Sequence, residues 1–205
     1  SAIHNSKFGN GVEIRLRPAY YDLISPEVGR LPNSSLSVFD LRLAAFESQV
    51  ILRQIDIINI ETLNVARTDL PGDGRLAWSL RLGLESQDLS CSDCSVFRVQ
   101  GGPGFAHQIT PSLIAYAMLD GRLQTPRKGL GSVAAIPRIG LLGSIIDEWK
   151  IQLSAGLRTY IDGTRSEEPV IRIEQRFGND RTWDVRVSYQ ELVARQFEAS
   201  FSYYW

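Results

Sequence analysis

Apolar and polar residues alternate one for one, again and again, from the first tens of residues of this 205-residue chain to its last ten. A period of two is the signature of β-strands that turn an oily face one way and a polar face the other. In "VEIRLRPAYY" Val12, Ile14, Leu16 and Tyr20 oppose Glu13, Arg15, Arg17 and Tyr21. In "RLAWSLRLGLE" Trp78, Leu80, Leu82 and Leu84 oppose Arg75, Arg81 and Glu85. The same holds for "WKIQLSAGLR", where Trp149 and Leu153 oppose Lys150 and Arg158, and for "WDVRVSYQ", where Trp183, Val185, Val187 and Tyr189 oppose Asp184 and Arg186. The chain closes on "QFEASFSYYW", with Phe197, Phe201, Tyr203 and Trp205 on one side and Glu198 on the other.

Six further segments alternate less strictly: "SLSVFDLRLAAF", "VILRQIDIINI", "SVFRVQGGPGF", "SLIAYAMLDGRL", "GSVAAIPRIGLL" and "PVIRIEQRF". Residues 113–118 alone would pass for a short helix, but strands on both sides argue against one. Stretches rich in Gly, Pro, Asn and Asp, such as "TDLPGDG", "QTPRKG" and "FGNDR", separate the segments as turns. Eleven strands are visible. A barrel threaded up and down through a membrane needs an even number, so the expected count is ten or twelve. Either "IHNSKF" supplies a twelfth strand, or one pair near Gly140 is really a single strand.

The content of the two faces bears on what surrounds them. The apolar faces of the five best segments carry no charge, and Tyr20, Trp78, Trp149, Trp183, Tyr189, Tyr203 and Trp205 fall near segment ends, where aromatic rings suit a headgroup boundary. The opposite faces repeat arginine with carboxylates: Glu13, Arg15, Arg17, Arg75, Arg81, Glu85, Arg98, Arg158, Arg172, Glu174, Asp184, Arg186 and Glu198. Nineteen of the 22 Lys+Arg are arginine, whose planar fork pairs with carboxylates in enclosed surroundings. We therefore read the chain as an all-β, transmembrane, antiparallel up-and-down β-barrel of 10–12 strands. Its interior would be a largely plugged network of paired charges. A soluble barrel with its apolar face inward, binding an apolar ligand, is the alternative.

Twenty-two basic residues against 23 acidic ones leave a formal charge of -1, which gives no footprint for nucleic acid. No apolar run approaches the roughly 20 residues of a transmembrane helix. The two cysteines, Cys91 and Cys94, lack the second pair or the histidines of a zinc site; a local disulfide formed in an oxidising compartment is expected, with free thiols as the other reading. The opening "SAIHNSKFGNG" reads as though sequence preceded it. The chain is expected to form one domain, possessing no cofactor and no metal centre.

Patterns of catalysis are sparse. No G-x-S-x-G, H-E-x-x-H or P-loop occurs. His107, in "GFAHQITPS", is the one candidate base, with serine and threonine nearby to suit a rim hydrolase of lipid or lipopolysaccharide. "GGPG" at 101–104 interrupts a strand pattern and suggests a bend, a bulge or close backbone approach rather than a ligand site.

The succession "LRPAYYDL", "IDIINIETLN" and "LAWSLRLGLE" resembles the C-terminal barrel-like region of bacterial envelope proteins whose N-terminal half is a lipoprotein N-acyltransferase (Lnb)-like periplasmic domain. The resemblance covers about the first ninety residues. It implies an outer-membrane module that anchors or positions a periplasmic domain acting on lipids or lipoproteins, with residues 22–34 as a contact. The catalytic residues of that family belong to the other domain, so none carries over; where the family often has His, this chain has Tyr21. The aromatic C-terminus also resembles the signal read by the barrel-assembly machinery of Gram-negative bacteria. Outer-membrane lipids, that machinery and a periplasmic domain are thus the expected partners, with a non-catalytic scaffold as the expected role.

Overall fold

The computed structural model describes residues 1–6, 8–25, 32–47, 49–65, 76–86, 95–126, 131–146, 148–162, 167–179, 182–191 and 195–203. They form thirteen strand segments: β1 Ala2–Asn5, β2 Gly9–Leu16, β3 Ala19–Tyr21, β4 Ser34–Phe46, β5 Val50–Thr62, β6 Ala77–Ser86, β7 Ser95–Thr110, β8 Leu113–Gln124, β9 Val133–Ile146, β10 Trp149–Tyr160, β11 Glu167–Gly178, β12 Trp183–Glu191 and β13 Arg195–Tyr203. Every pairing is antiparallel, and each segment lies beside its sequence neighbour. β1 pairs with β13, and β2 pairs with β4, so the sheet closes on itself. Closure removes the edge strands whose unpaired amides would otherwise need partners.

β2 and β3 are one stave interrupted at Arg17 and Pro18, since both pair with β4 in a single continuing register. The wall therefore has twelve staves. "IHNSKF" does supply one of them as β1, and β9 runs unbroken through Gly140. An even count brings β1 and β13 together at one rim, called here the terminal rim. The turns after β3, β5, β7, β9 and β11 lie at the same rim.

Alternation translates directly into two surfaces. Leu80, Leu119, Ile139, Leu153, Val187 and Phe201 are exposed on the outside, whereas the largest fully buried side chains include Arg98, Arg122 and Arg176. The molecule is polar within and oily without. A smaller apolar cluster also lies within: Leu23 and Ile24, from the loop after β3, pack with Leu63, Ile114, Tyr116, Met118 and Leu142. Residues 22–25 are thus turned toward the barrel interior, and residues 26–31 of the same loop lie outside the described residues.

Strand β7 runs through "GGPG" without a register shift; of the readings open there, close backbone approach is the one found, since a Cβ at Gly102 would stand 2.0 Å from the Leu119 carbonyl oxygen. Pairing toward β8 lapses at Gly102 and Pro103 and resumes in the same register at Gly104, consistent with proline's missing N–H, and it shifts by one residue between Gln108 and Thr110. Gly104 faces inward beneath Met118; a Cβ there would stand 2.1 Å from the Met118 sulfur, so the glycine makes room for the interior.

Turn chemistry fixes the ends. Asp162, after β10, accepts hydrogen bonds from the amides of Ser132 (2.9 Å) and Val133 (2.7 Å), tying the β10 end to the start of β9. Those donations from Val133 and then Ser132 lower the Asp162 pKa. A depressed folded-state value means that the tie contributes stability above the ordinary carboxylate pKa and loses it as pH falls through the lowered one. Asp162→Ala should therefore lower the melting temperature at pH 7 and flatten its dependence on pH in the acid range; scans from pH 7 to pH 3 check this.

Candidate functional site in the barrel interior

Two charge networks line the interior. In the first, Asp56 on β5 accepts from Arg81 Nε (2.9 Å) and Arg98 Nη2 (2.8 Å), and Arg98 also pairs with Glu85. Across the lumen Arg138 bridges Glu61 (2.8 Å) and Asp120 (2.9 Å), and Asp120 also accepts from the Ser79 hydroxyl (2.6 Å). Arg158 donates to Glu168 at 3.0 Å. Ions removed from bulk water must be matched closely, because the attraction repays desolvation only when geometry is good.

The second network belongs to β2, β4, β5 and β11–β13. Arg15 and Arg42 stand directly opposite one another, an arrangement held by Asp40, which accepts from Arg15 Nε at 2.8 Å and lies 3.6 Å from Arg42. Glu13 takes Arg53, and Glu174 takes Arg172 at 2.7 Å. Asp184 accepts from both Arg176 and Arg186 at 3.0 Å. Arg186 reaches further, to the Tyr20 hydroxyl (2.7 Å) and to Asp22, so it tethers the inward loop. Burial pushes the Asp22 pKa up, but Arg186 and the Ser25 hydroxyl more than reverse this and leave it below the ordinary value.

Beside this network lies a polar cavity of about 180 Å³, lined by Arg15, Arg17, Arg42, Arg172, Arg186 and Glu198, among others. Arg172 is 44% exposed there although it points inward, so the cavity is an aqueous part of the lumen. The guanidinium of Arg17 lies 3.4 Å from the centre of the Tyr20 ring.

The structure places Glu13, Arg15, Arg17, Arg81, Glu85, Arg98, Arg158, Arg172, Glu174, Asp184, Arg186 and Glu198 together inside the wall. Arg75, Cys91, Cys94 and Trp205 lie outside the described residues. Tyr20 is a correction. Expected on the outer face near a membrane boundary, it points inward instead, stacked by arginines. The cause is local: the stave breaks at Pro18, and opposite it Phe39 adopts a left-handed backbone with a φ of 55°, which reverses the facing of β4 so that Ser37, the partner of Tyr20, is buried.

Of the other aromatics expected at a boundary, Trp78, Trp149, Trp183, Tyr189 and Tyr203 point outward, and four gather at one level. Trp78, Trp149, Trp183 and Tyr203 each stand at or next to the strand end that meets the terminal rim, with Phe177 filling between Trp149 and Trp183. Tyr189 sits toward the opposite rim against Phe197, ring centres 4.8 Å apart. Sequence reading passed over Asp40, Arg42, Arg53, Asp56, Glu61, Asp120, Arg122, Arg138, Glu168 and Arg176. Most of them sit on the weaker segments, yet "FDLR", "DGRLQ" and "IRIEQR" carry the same period of two that would have found them.

His107 is exposed on the outer wall, between Phe105 and Ile109 on the same face and opposite Ala115. Among the described residues it has neither an acid nor a nucleophile as a hydrogen-bond partner. It borders an open apolar groove of about 770 Å³, whose floor is formed by Ala115, Ala117 and Ala155 and whose walls include Phe105 and Ile139. The groove offers contact with apolar chains.

Comparison with curated proteins finds no match to the chain. A family profile matches residues 2–205. With a closed wall, a charged interior and a match across nearly its whole length, the chain belongs to the family described as Domain of unknown function (DUF7840).

Proposed function

We propose that this barrel is an outer-membrane module that serves as anchor and scaffold for a periplasmic domain or envelope complex and is not itself catalytic. One observation carries the reading: the polarity of the molecule is inverted, with aliphatic and aromatic side chains exposed all around the wall and arginines and carboxylates buried inside it. In water such a surface far exceeds the apolar patches that monomers tolerate. In a bilayer it is the required surface, because hydrocarbon accepts only a closed wall with every backbone amide paired.

The row of Trp78, Trp149, Trp183 and Tyr203 supports the same reading, since membrane barrels carry aromatic girdles where headgroups begin. Strands of about ten tilted residues span the hydrocarbon, and β6 to β13 have 9 to 16. Interior ion pairs and the inward Leu23 and Ile24 make the lumen a plug rather than a pore. The resemblance of "LRPAYYDL" and the segments after it to barrel-like regions joined to lipoprotein-directed periplasmic domains suggests what is anchored.

Reconstitution tests this. The chain should partition into phospholipid vesicles, show heat-modifiable electrophoretic mobility, and give negligible conductance in planar bilayers. Stable monomeric folding in buffer without detergent overturns the membrane assignment, and a steady open channel overturns the plug.

A further inference from the structure

We infer that the 180 Å³ cavity is a binding site for a phosphate-type oxyanion, with Arg17 as its principal ligand. The argument begins with charge. Five arginines line the cavity, Arg15, Arg17, Arg42, Arg172 and Arg186, with two carboxylates, Glu174 and Glu198; Glu13, Asp22, Asp40 and Asp184 stand behind the lining as ion-pair partners. Each carboxylate is engaged by an arginine other than Arg17. Among the described residues Arg17 has no carboxylate within ion-pair distance, and its Nη1 is buried without a hydrogen-bond partner.

Its only close neighbour in these contacts is the Tyr20 ring, which takes one face of the guanidinium. Stacking of that kind leaves the N–H edge free and holds it in one plane. Arg42 adds a second incomplete donor. It meets Glu13, Asp40 and Glu198 only at 3.6–3.9 Å, beyond hydrogen-bond reach, and its Nε is also buried and unpartnered. Two guanidiniums with unspent donors, on one cavity wall, match the several oxygens of a tetrahedral anion, which arginine engages in bidentate fashion.

Size fits as well. A water occupies roughly 30 Å³ of liquid, so the cavity admits an anion of five heavy atoms with attendant water but not a whole lipid. The occupant is therefore a free oxyanion or the phosphate of a headgroup reaching in. The inference depends on the closed wall and its interior alone, and it stands or falls separately from what surrounds the barrel.

The test uses the folded chain in a zwitterionic detergent, titrated with inorganic phosphate and sulfate against sodium chloride at matched ionic strength, with thermal unfolding as readout. Phosphate is expected to raise the melting temperature saturably, and Arg17→Gln to weaken its apparent affinity about tenfold or more, the effect of losing a charged hydrogen bond. Arg17→Lys keeps the charge but loses the fork, so it should fall between the two. Without phosphate, Arg17→Gln should melt no lower than the parent, because it removes an uncompensated cation; this separates binding from folding. A parallel titration with short-chain phosphatidic acid distinguishes the source: a response to phosphate alone assigns a free anion, and a response to the lipid alone assigns a headgroup. If neither phosphate nor the lipid exceeds the chloride effect, or if Arg17→Gln and Arg17→Lys respond as the parent does, the site does not exist.

Discussion

Ile139→Arg is expected to cost about 2–4 kcal/mol of folding free energy in phospholipid vesicles, the range for a cation placed on the lipid face near the midplane of a membrane barrel. Ile139 stands midway along β9, points outward and is 66% exposed. The same substitution on a surface bathed in water should change stability by no more than about 0.5 kcal/mol. Few single changes separate two surroundings so widely. Urea unfolding in vesicles measures it, with Glu167→Arg, at the start of β11 and already polar and exposed, as the control expected to do little. A small cost at Ile139 would mean that water, not hydrocarbon, faces the wall.

The second large effect lies inside. Asp56 is fully buried and receives both Arg81 and Arg98. Asp56→Ala leaves Arg81 without its carboxylate and Arg98 with Glu85 alone, and breaking a buried pair from one side costs about 3–5 kcal/mol. Arg98→Met in the same chain should recover part of that loss, since the uncompensated charge leaves with it. Unfolding of the two single variants and the double variant, arranged as a cycle, measures the coupling. Additive losses would show that Asp56 and Arg98 do not depend on one another, contrary to the 2.8 Å contact between them.

The wall was legible in the sequence because facing is dictated by position along a strand. Wherever the strand is unbroken, as from Trp149 to Tyr160 or from Arg195 to Tyr203, odd and even residues sort outward and inward as the alternation requires. Legibility failed where the period slips. The registers of β4 with β5 and of β5 with β6 both shift, and the second stave breaks at Pro18, so Tyr20 changes sides. An extra residue in one strand exchanges the two faces beyond it, and nothing in the spacing of a single chain announces where that occurs. Leu23 and Ile24 escaped for another reason. A Pro/Gly-rich loop reads as solvent-exposed, whereas these two side chains are drawn inward by the apolar patch that Met118, Ile114 and Leu142 present. Partners in the charge networks lie far apart in sequence, Arg186 and Tyr20 by 166 residues and Ser1 and Glu198 by 197, and only closure of the wall brings them together.

The twelve staves carry a topological consequence. Because the first and last of them meet side by side, a polypeptide fused ahead of β1 and one fused behind β13 must emerge through the same mouth. Cargo tethered at either end would share one compartment, and, in the membrane orientation proposed above, the opposite mouth with its hairpins would meet a different milieu.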